Sequence, residues 1–345
     1  MSSPAAGWAA RGAVVAGLAG LVLVYPLTRS GIEVNVFTEA AIYAIIGLSL
    51  NVLLGYAGQI SLGHQAFVGI GAFTSAYMTT VHEQNFVAAI GVTMLVGAAQ
   101  ALLLGLVSLR ITGLYFALVS LTYGTMAENS LFNIASLTGG PSGQPAPKPA
   151  GFASDHRYYY LCLVFLAVVL YVDWRLTATK AGRALLAIRA EPRVAASFGA
   201  SLKRYTLIAF IVSGVFASVA GALLAHNTTS VVASQFEFQL ALVFVIMTVV
   251  GGLRSRAGVV AASVFFSLTD YLFDKLHLSG AVDALPLLPD MPPDLAPLVL
   301  GPLLLLFTLT RHPGGFSDML RPIGRWLRET PPVEQPAPTK VAAHA

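Results

Sequence analysis

The residues best suited to chemistry are neutral polar side chains placed between two apolar runs. The segment GYAGQISLGHQAF, residues 55–67, carries Gln59, Ser61 and His64 and has no formal charge. Such groups donate and accept hydrogen bonds, so at apolar depth they predict either bonds that lock neighbouring helices or the lining of a pathway or its gate. The pathway or gate candidates are Gly58, Gln59, Ser61, Gly63, His64 and Asp270.

Small residues in and after this segment predict close helix packing. Each glycine weakens a helix by about 1 kcal/mol relative to alanine, a cost tolerated in membranes where backbone is buried in protein or lines a cavity. Gly63, Gly71, Ser75 and Thr79 recur at multiples of four. That spacing predicts a single small-residue face along one helix.

Ionisable residues inside apolar runs are candidates for ion or proton pathways. Glu128 ends one run, and Asp270 and Asp274 lie one turn apart in a later run, beside Lys275. For Asp274 and Lys275, near the outer end of their run, we expect pairing with ions or lipid headgroups. Asp270 is the deepest acid of the group, and a structural hydrogen bond and a pathway role both stay open for it.

Other chemistries have no support in the sequence. There is no G-x-x-x-x-G-K-[ST] motif for ATP phosphates, and the stretches GIGAF and GVFASVAG lie in apolar runs, whereas a dinucleotide loop follows a strand. No Ser/His/Asp or paired-carboxylate arrangement indicates catalysis. His64 has no partner at a metal-ligand spacing, and Cys162 is the single cysteine. We therefore expect a protein that is not an enzyme and holds no cofactor or metal.

These residues belong to a chain whose composition predicts a membrane protein. It has 345 residues, 56% of them hydrophobic and 10% charged, whereas soluble proteins carry about 25% charged residues. A spanning helix needs about 20 predominantly apolar residues. We predict an all-α polytopic integral membrane protein with about ten transmembrane helices. The predicted spans are 13–28, 36–55, 60–81, 86–109, 113–131, 158–173, 205–226, 237–252, 257–276 and 294–310.

The positions of the basic residues predict the orientation. With ten spans and a cytoplasmic N-terminus, most of the 20 Lys and Arg residues fall on the inner side, as expected for cytoplasmic loops. Both termini are then cytoplasmic, and one span more or fewer would misplace either the basic loop at 174–204 or the C-terminal tail. The exceptions are Arg29, Lys148, Arg157 and Lys275.

The chain therefore divides into a transmembrane domain, residues 1–312, and a tail, residues 313–345, whose Pro-rich composition predicts disorder. Within the domain, residues 132–157 form a Gly/Pro-rich outer loop, too rich in turn residues for a helix. Residues 277–293 form a further outer connection.

The basic inner loop at 174–204 has a helix-forming pattern. It reads GRALLAIRA, breaks at Pro192 and continues as RVAASFGAS, where Ala195 and Gly199 are predicted to share a face. A small-residue face flanked by arginines suits docking into a partner protein. A basic helix anchored to anionic lipid is equally compatible with this pattern.

The same loop carries the first of several motifs of a known family. The family's loop has the form G-R-A-x-x-A-I-R-x-x-x-x-A-A-x-x-x-G, and residues 182–199 read G-R-A-x-x-A-I-R-x-x-x-x-x-A-A-x-x-G, with the alanine pair one position later. The stretches LNVLLGYAGQISLGHQAFVGIGAF, GLYFALVSLTYG, LTGGPSG and VVGGLRSRAGVVAAS occur in the family's order. Over residues 36–312 the chain resembles the ABC permeases for branched-chain amino acids, in particular the LivM type.

The resemblance implies a permease subunit of a binding-protein-dependent importer in a bacterial cytoplasmic (inner) membrane. The implied partners are a second, LivH-like permease subunit, two ATP-binding cassette subunits, an extracytoplasmic substrate-binding protein and the lipid bilayer, with no nucleic acid. ATP hydrolysis would take place in the separate subunits. The implied substrates are leucine, isoleucine or valine, although relatives of this type also carry urea or short amides.

The resemblance also makes the inner loop the coupling helix that fits into an ATPase subunit. Many ABC importers carry E-A-A-x-x-x-G there, whereas Val194 stands here at the glutamate position. The substitution argues against a salt bridge from that position and leaves the small-residue surface intact. The implied coupling residues are Gly182, Arg183, Ala187, Ile188, Arg189, Glu191, Ala195, Ala196 and Gly199.

Two other function classes follow less directly from the residues. An ion-coupled secondary transporter could use Asp270 or Glu128, but such a carrier would not need the long basic inner loop. For a membrane-embedded enzyme or scaffold, the sequence contains no catalytic arrangement of residues.

Overall fold

The computed structural model describes residues 20, 24, 31–111, 113–275 and 315–318, which are almost entirely helical. The strands β1 (Gln144–Pro145) and β2 (Ser230–Val231) form one short antiparallel pair. In chain order the α-helices are α1 Gly31–Leu50, α2 His64–Thr80, α3 Phe86–Ser108, α4 Leu114–Asn129, α5 Ala135–Thr138, α6 Asp155–Ala178, α7 Lys180–Ala190, α8 Pro192–Ser197, α9 Leu202–Thr228, α10 Phe238–Gly251 and α11 Arg256–Lys275.

The long helices of the described chain coincide with eight of the ten predicted spans: α1, α2, α3, α4, α6, α9, α10 and α11. The first and tenth predicted spans lie outside the described residues, apart from Gly20 and Val24. The helical class is confirmed, whereas ten spans and the side of the termini stay predictions. Within the described residues, the helical segments long and apolar enough to cross a membrane are Gly31–Ala57, Phe86–Ser108, Asp155–Ala178, Leu202–Thr228 and Ala233–Gly251.

The connections between the long helices gather at two ends of the bundle. Residues 58–63, residues 252–255 and the loop formed by α7 and α8 (residues 179–201) lie at one end, called here the α7–α8 end. The opposite end, called the strand end, carries β1, β2 and the turn between α2 and α3, tied by a 2.6 Å hydrogen bond from Gln144 Nε2 to Thr80 Oγ1.

The centre of the bundle depends on glycine contacts between α2, α3 and α9. A Cβ at Gly71 would overlap the Ser218 backbone, and one at Gly221 would overlap the Val68 carbonyl. Such contacts let helix backbones approach closely, so dispersion contacts stabilise the packing in a membrane where the hydrophobic effect between helices is absent. Gly71 and Ser75 therefore do share a face, and Ser75 Oγ lies 2.9 Å from His226 Nε2 of α9.

The loop at 132–157 contains more helix than its composition predicts. It holds 3₁₀ turns at Leu131–Asn133 and Gly140–Ser142 besides α5, and α6 begins inside it at Asp155. The expectation of a helix-free loop is therefore wrong. Glycines in left-handed conformations separate the turns and keep each helical piece short.

Candidate functional site

The polar segment singled out from the sequence joins α1 to α2. Beyond α1 the chain continues as a π-helix over Asn51–Ala57, which ends at Gly58 with a φ of 70°, a conformation that glycine adopts without strain. Residues 59–63 are not helical, and α2 begins at His64. The second of these helices therefore begins later than the predicted position 60, because the left-handed turn at Gly58 is followed by a linker.

The start of α2 packs on α4 with the backbone of Gly63 in direct contact with that of α4. A Cβ at Gly63 would overlap the Ser120 carbonyl, and one at Gly124 would lie 2.8 Å from the Gly63 Cα. The Leu62 N–H donates to the Ser120 hydroxyl at 3.0 Å. Gly63 thus contacts α4 and does not belong to the α2 face that packs on α9, which corrects the predicted single face.

His64 is fully buried, and its hydrogen bonds fix its tautomer. The Ser49 hydroxyl donates its one proton to the Ile46 carbonyl at 2.8 Å. Ser49 Oγ, which lies 2.6 Å from His64 Nε2, must therefore accept from the ring N–H. In the neutral ring this leaves Nδ1 as a bare acceptor, and Nδ1 has no partner among the described residues although His64 is 0% exposed.

Gln65, which sequence reasoning passed over, is the second unusual side chain. It is 0% exposed, and neither Nε2 nor Oε1 finds a hydrogen-bonding partner within the described part of the chain. Gln100 on α3 shows the usual arrangement, since its Nε2 donates to Ser218 Oγ at 3.0 Å and its Oε1 accepts from the Tyr123 hydroxyl at 2.7 Å. Only the unpartnered amide, visible in three dimensions, distinguishes Gln65.

The remaining pathway candidates do not all meet. Ser61 is buried, Gln59 is half-buried with an unpartnered Oε1 among the described residues, and Gly58 is exposed at the α7–α8 end. Asp270 lies fourteen residues along α11 from its start at that end, about 20 Å away at 1.5 Å per residue. The backbone therefore separates Asp270 from the other candidates.

A buried ion pair that sequence reasoning missed lies just below the linker. Asp173 of α6 is 0% exposed and pairs with Arg256 Nε at the start of α11. The Tyr56 hydroxyl donates to the same carboxylate at 3.0 Å, and Arg256 also donates to Thr177. The residues are 83 positions apart, so the only sequence signal was a charge at the predicted inner end of each of two runs.

The π-helix is held by a side chain of its own. Asn51 Oδ1 accepts from the Arg254 N–H at 2.8 Å, and Asn51 Nδ2 donates to the Tyr56 hydroxyl at 3.2 Å. A Cβ at Gly55 would overlap Asn51 Oδ1. The loop before α11 is thereby tied to the end of α1, and π-helical turns of this kind are frequent at functional sites.

The predicted helical break at Pro192 is observed, since α7 ends at Ala190 and α8 begins with Pro192. Pro is well tolerated at a first helical position, where its missing N–H costs nothing. Residues predicted for coupling divide by exposure. Those facing the bundle are Gly182, Ile188 and Ala195, and those on the surface are Arg183, Ala187, Glu191, Ala196 and Gly199.

Gly199 ends α8 and does not extend it, so the predicted face shared by Ala195 and Gly199 does not exist. The Ala200 N–H donates to the Ala195 carbonyl at 3.0 Å and the Gly199 N–H to the Ala196 carbonyl at 2.9 Å. With a φ of 80° at Gly199, this is the Schellman arrangement that closes a helix C-terminus. The glycine is needed for its backbone conformation.

Arg189 connects the α7–α8 loop to the π-helix. Its guanidinium donates to the Gly55 carbonyl, and a Cβ at Gly58 would lie 2.9 Å from Arg189 Cγ. Burial, and then the nearby Arg254, lower the pKa of Arg189. Arginine stays charged even so, because its ordinary pKa is far above neutrality. Its link to Gly55 is therefore a charge-assisted hydrogen bond between the loop and the bundle.

The outer surface of α8 exposes two large apolar side chains. Phe198 is 87% exposed and Val194 51% exposed, beside the exposed Arg193. An aromatic side chain so exposed on a capped helix is unusual for a purely basic loop, since aromatic residues dominate the energetics of protein interfaces.

Comparison with known proteins shows which proteins the chain is similar to. Residues 32–308 match the family described as branched-chain amino acid transport system / permease component. The high-affinity branched-chain amino acid transport system permease protein LivM of Escherichia coli (strain K12) is 30% identical over 330 residues, covering 88% of this chain and 74% of that protein. LivM of Salmonella typhimurium shows the same identity and coverage.

No solved structure matches the chain. The family match spans most of the residues that carried the motif resemblance, and it confirms that resemblance. The chain therefore belongs to the family of permease components of branched-chain amino acid transport systems.

Proposed function

We propose that this protein is the transmembrane permease subunit of an ATP-binding cassette importer for branched-chain amino acids in a bacterial cytoplasmic membrane. It provides the substrate pathway, and separate subunits hydrolyse ATP. Its partners are a second permease of the LivH type, two ATPase subunits and an extracytoplasmic binding protein. Family membership and the transport function of the LivM relatives support this assignment.

The exposed surface of α8 is the observation that carries the proposal. Phe198 and Val194 project from a helix that is closed at one end by Pro192 and at the other by Gly199. A preformed helix with an apolar knob loses little entropy on docking into a groove. A helix resting on lipid would not need this rigid closure at both ends.

A contiguous set of contacts leads from that surface to the polar linker. α8 packs on α7, Arg189 of α7 binds the Gly55 carbonyl, and the π-helix that contains Gly55 runs directly into Gly58. Movement of the loop can therefore change the position of the linker and of the start of α2. Nucleotide binding drives transport only if it favours one arrangement of this chain over another.

The roles of the acidic residues favour an ATP-driven mechanism over an ion-driven one. Glu128 Oε2 accepts from the Phe238 N–H at 3.2 Å. It therefore caps the start of α10, where a carboxylate also interacts favourably with the helix dipole. Glu128 thus has a structural role at the strand end.

The test is co-purification and uptake with a matched pair of variants. Phe198→Ser should weaken retention of the ATPase subunits about 30-fold, as expected for loss of an interface hot spot, and ATP-dependent leucine uptake should fall with it. Phe152→Ser changes another exposed phenylalanine, at the strand end, and should leave ATPase retention unchanged.

Mass spectrometry of proteins co-purified with the tagged chain identifies the partners. Leucine uptake by proteoliposomes that contain this chain alone, driven by a proton or sodium gradient, would refute the importer assignment. Uptake of urea or short amides in place of leucine by the complete complex would correct the substrate class only.

A further inference from the structure

The start of α2 buries three polar atoms that have no partner among the described residues: His64 Nδ1, Gln65 Nε2 and Gln65 Oε1. Both side chains are 0% exposed. Buried polar groups are almost always hydrogen-bonded, and an unpartnered one is destabilising. Three such atoms on consecutive residues indicate that something absent from this arrangement of the chain satisfies them.

The hydrogen-bonding character of the three atoms identifies that ligand. His64 Nδ1 can only accept, because the Ser49 hydroxyl requires the ring proton at Nε2. Gln65 offers one further acceptor and a two-proton donor. A free amino acid presents the complement, an ammonium group that donates and a carboxylate that accepts.

On this basis, and resting on the proposed function, we infer that His64 and Gln65 hold the charged head of the transported amino acid. The ammonium donates to His64 Nδ1 and Gln65 Oε1, and the carboxylate accepts from Gln65 Nε2. The site also lies at the N-terminus of α2, whose dipole favours a carboxylate. None of these hydrogen bonds involves the side chain of the transported amino acid. This suits a set of substrates that differ only in an apolar side chain.

A metal ion does not fit the same atoms. Within the described ranges, no group of three or more His, Cys, Asp or Glu side chains is placed to hold one. An amide nitrogen is a donor and cannot ligate a cation.

Access to the pair follows from the contact between α2 and α4. The amide of Gln65 lies over Gly124, where a Cβ would be 2.5 Å from Nε2, and Gly63 meets the Ser120 backbone. Where Gly63 meets α4 the two backbones are in direct contact, and one hydrogen bond, from Leu62 to Ser120, is described across the contact. Further along, Phe67 of α2 packs on Tyr123 of α4 with ring centroids 5.7 Å apart. Separation of α4 from the start of α2 opens the site, and the present structure shows it closed.

The experiment compares two buried glutamines in the complete transporter, purified with its partner subunits and reconstituted in vesicles. Gln65→Leu removes two unpartnered atoms, so the thermal midpoint should stay the same or rise. Leucine uptake should nevertheless fall about 10- to 100-fold, as expected for loss of hydrogen bonds to charged groups. Gln100→Leu leaves Tyr123 and Ser218 without their partner and should lower the thermal midpoint.

A second variant, Gln65→Met, keeps the length of the side chain and serves if Gln65→Leu does not assemble. Leucine uptake at the wild-type rate by either assembled variant overturns the inference. So does a lowered thermal midpoint in both variants, because Gln65 is then a structural residue bonded to water. Failure of the wild-type complex to take up leucine, urea or short amides at the expense of ATP refutes the proposed function itself, and the two failures are distinguishable.

Discussion

Substitution of Gly199 separates two explanations for the glycine in the α7–α8 loop. If Gly199 is needed for its positive φ, uptake should follow the ability of the new residue to adopt that conformation. No atom lies within 4 Å of a Cβ built at Gly199, so a side chain meets no steric obstacle within this chain. The cost then arises in the backbone alone, about 1–2 kcal/mol for a residue other than glycine.

That cost lowers the equilibrium constant for closing the α8 cap by a factor of about 5 to 30. Asn tolerates the left-handed region better than Ala, and the β-branched Val tolerates it least. We therefore expect uptake to decrease in the order Gly199, Gly199→Asn, Gly199→Ala, Gly199→Val. Hydrogen exchange at the Ala200 amide, which closes the cap on Ala195, should speed up in the same order.

The assay is ATP-dependent leucine uptake in vesicles, normalised to the amount of assembled transporter. A docking face that admits only small residues predicts a different order, with Gly199→Ala close to wild type and Gly199→Asn strongly impaired. That order would refute the C-cap explanation and restore the small-residue face expected from the sequence.

Three further substitutions test other contacts. Arg256→Met leaves the fully buried Asp173 carboxylate without its cation and should lower the free energy of unfolding, measured by SDS titration in mixed micelles, by about 3 kcal/mol, the low end for a buried pair because Arg256 is partly exposed. An unchanged free energy would contradict a role for the pair. Gly71→Leu should prevent accumulation of folded protein, whereas Gly91→Leu, at a glycine with open space around it, should accumulate normally by size-exclusion chromatography. Arg189→Met should keep the ATPase subunits bound in co-purification yet lower leucine uptake per ATP hydrolysed, and an unchanged ratio would contradict the link from loop to bundle.

Much of the bundle could be predicted because membrane helices follow from apolar length alone. The ends of the helices could not, since they depend on local backbone conformation. Gly58 stops one helix with a left-handed residue, and the next begins only at His64. In the α7–α8 loop, Pro192 marked its helix start correctly, whereas Gly199 was predicted to share a helix face with Ala195 and instead ends the helix with a φ of 80°.

The hydrogen-bonding partners of the polar residues could not be predicted from the sequence either. His64 could be chosen from its type and position, but Gln65 beside it could not, because a partnered and an unpartnered glutamine look identical in a sequence. Asp173 and Arg256 meet only through the packing of α6 on the start of α11. Asp270 stood out as the deepest acid, yet its distance from the linker depends on where α11 begins.

The hydrogen bonding of the buried polar groups suggests different roles for the region beside the α7–α8 loop and for the start of α2. Beside the α7–α8 loop, Asn51, Tyr56, Asp173 and Arg256 bond to one another, which makes this region stiff, although Asp173 Oδ1 has no partner among the described residues. At the start of α2, the polar atoms of Gln65 have no partner in the described chain, and Gly63 and Gly124 bring the backbones of α2 and α4 into direct contact. A stiff network transmits movement because packed elements shift between discrete positions. The unsatisfied region is the less stable one, so movement imposed at the loop should open the bundle there first.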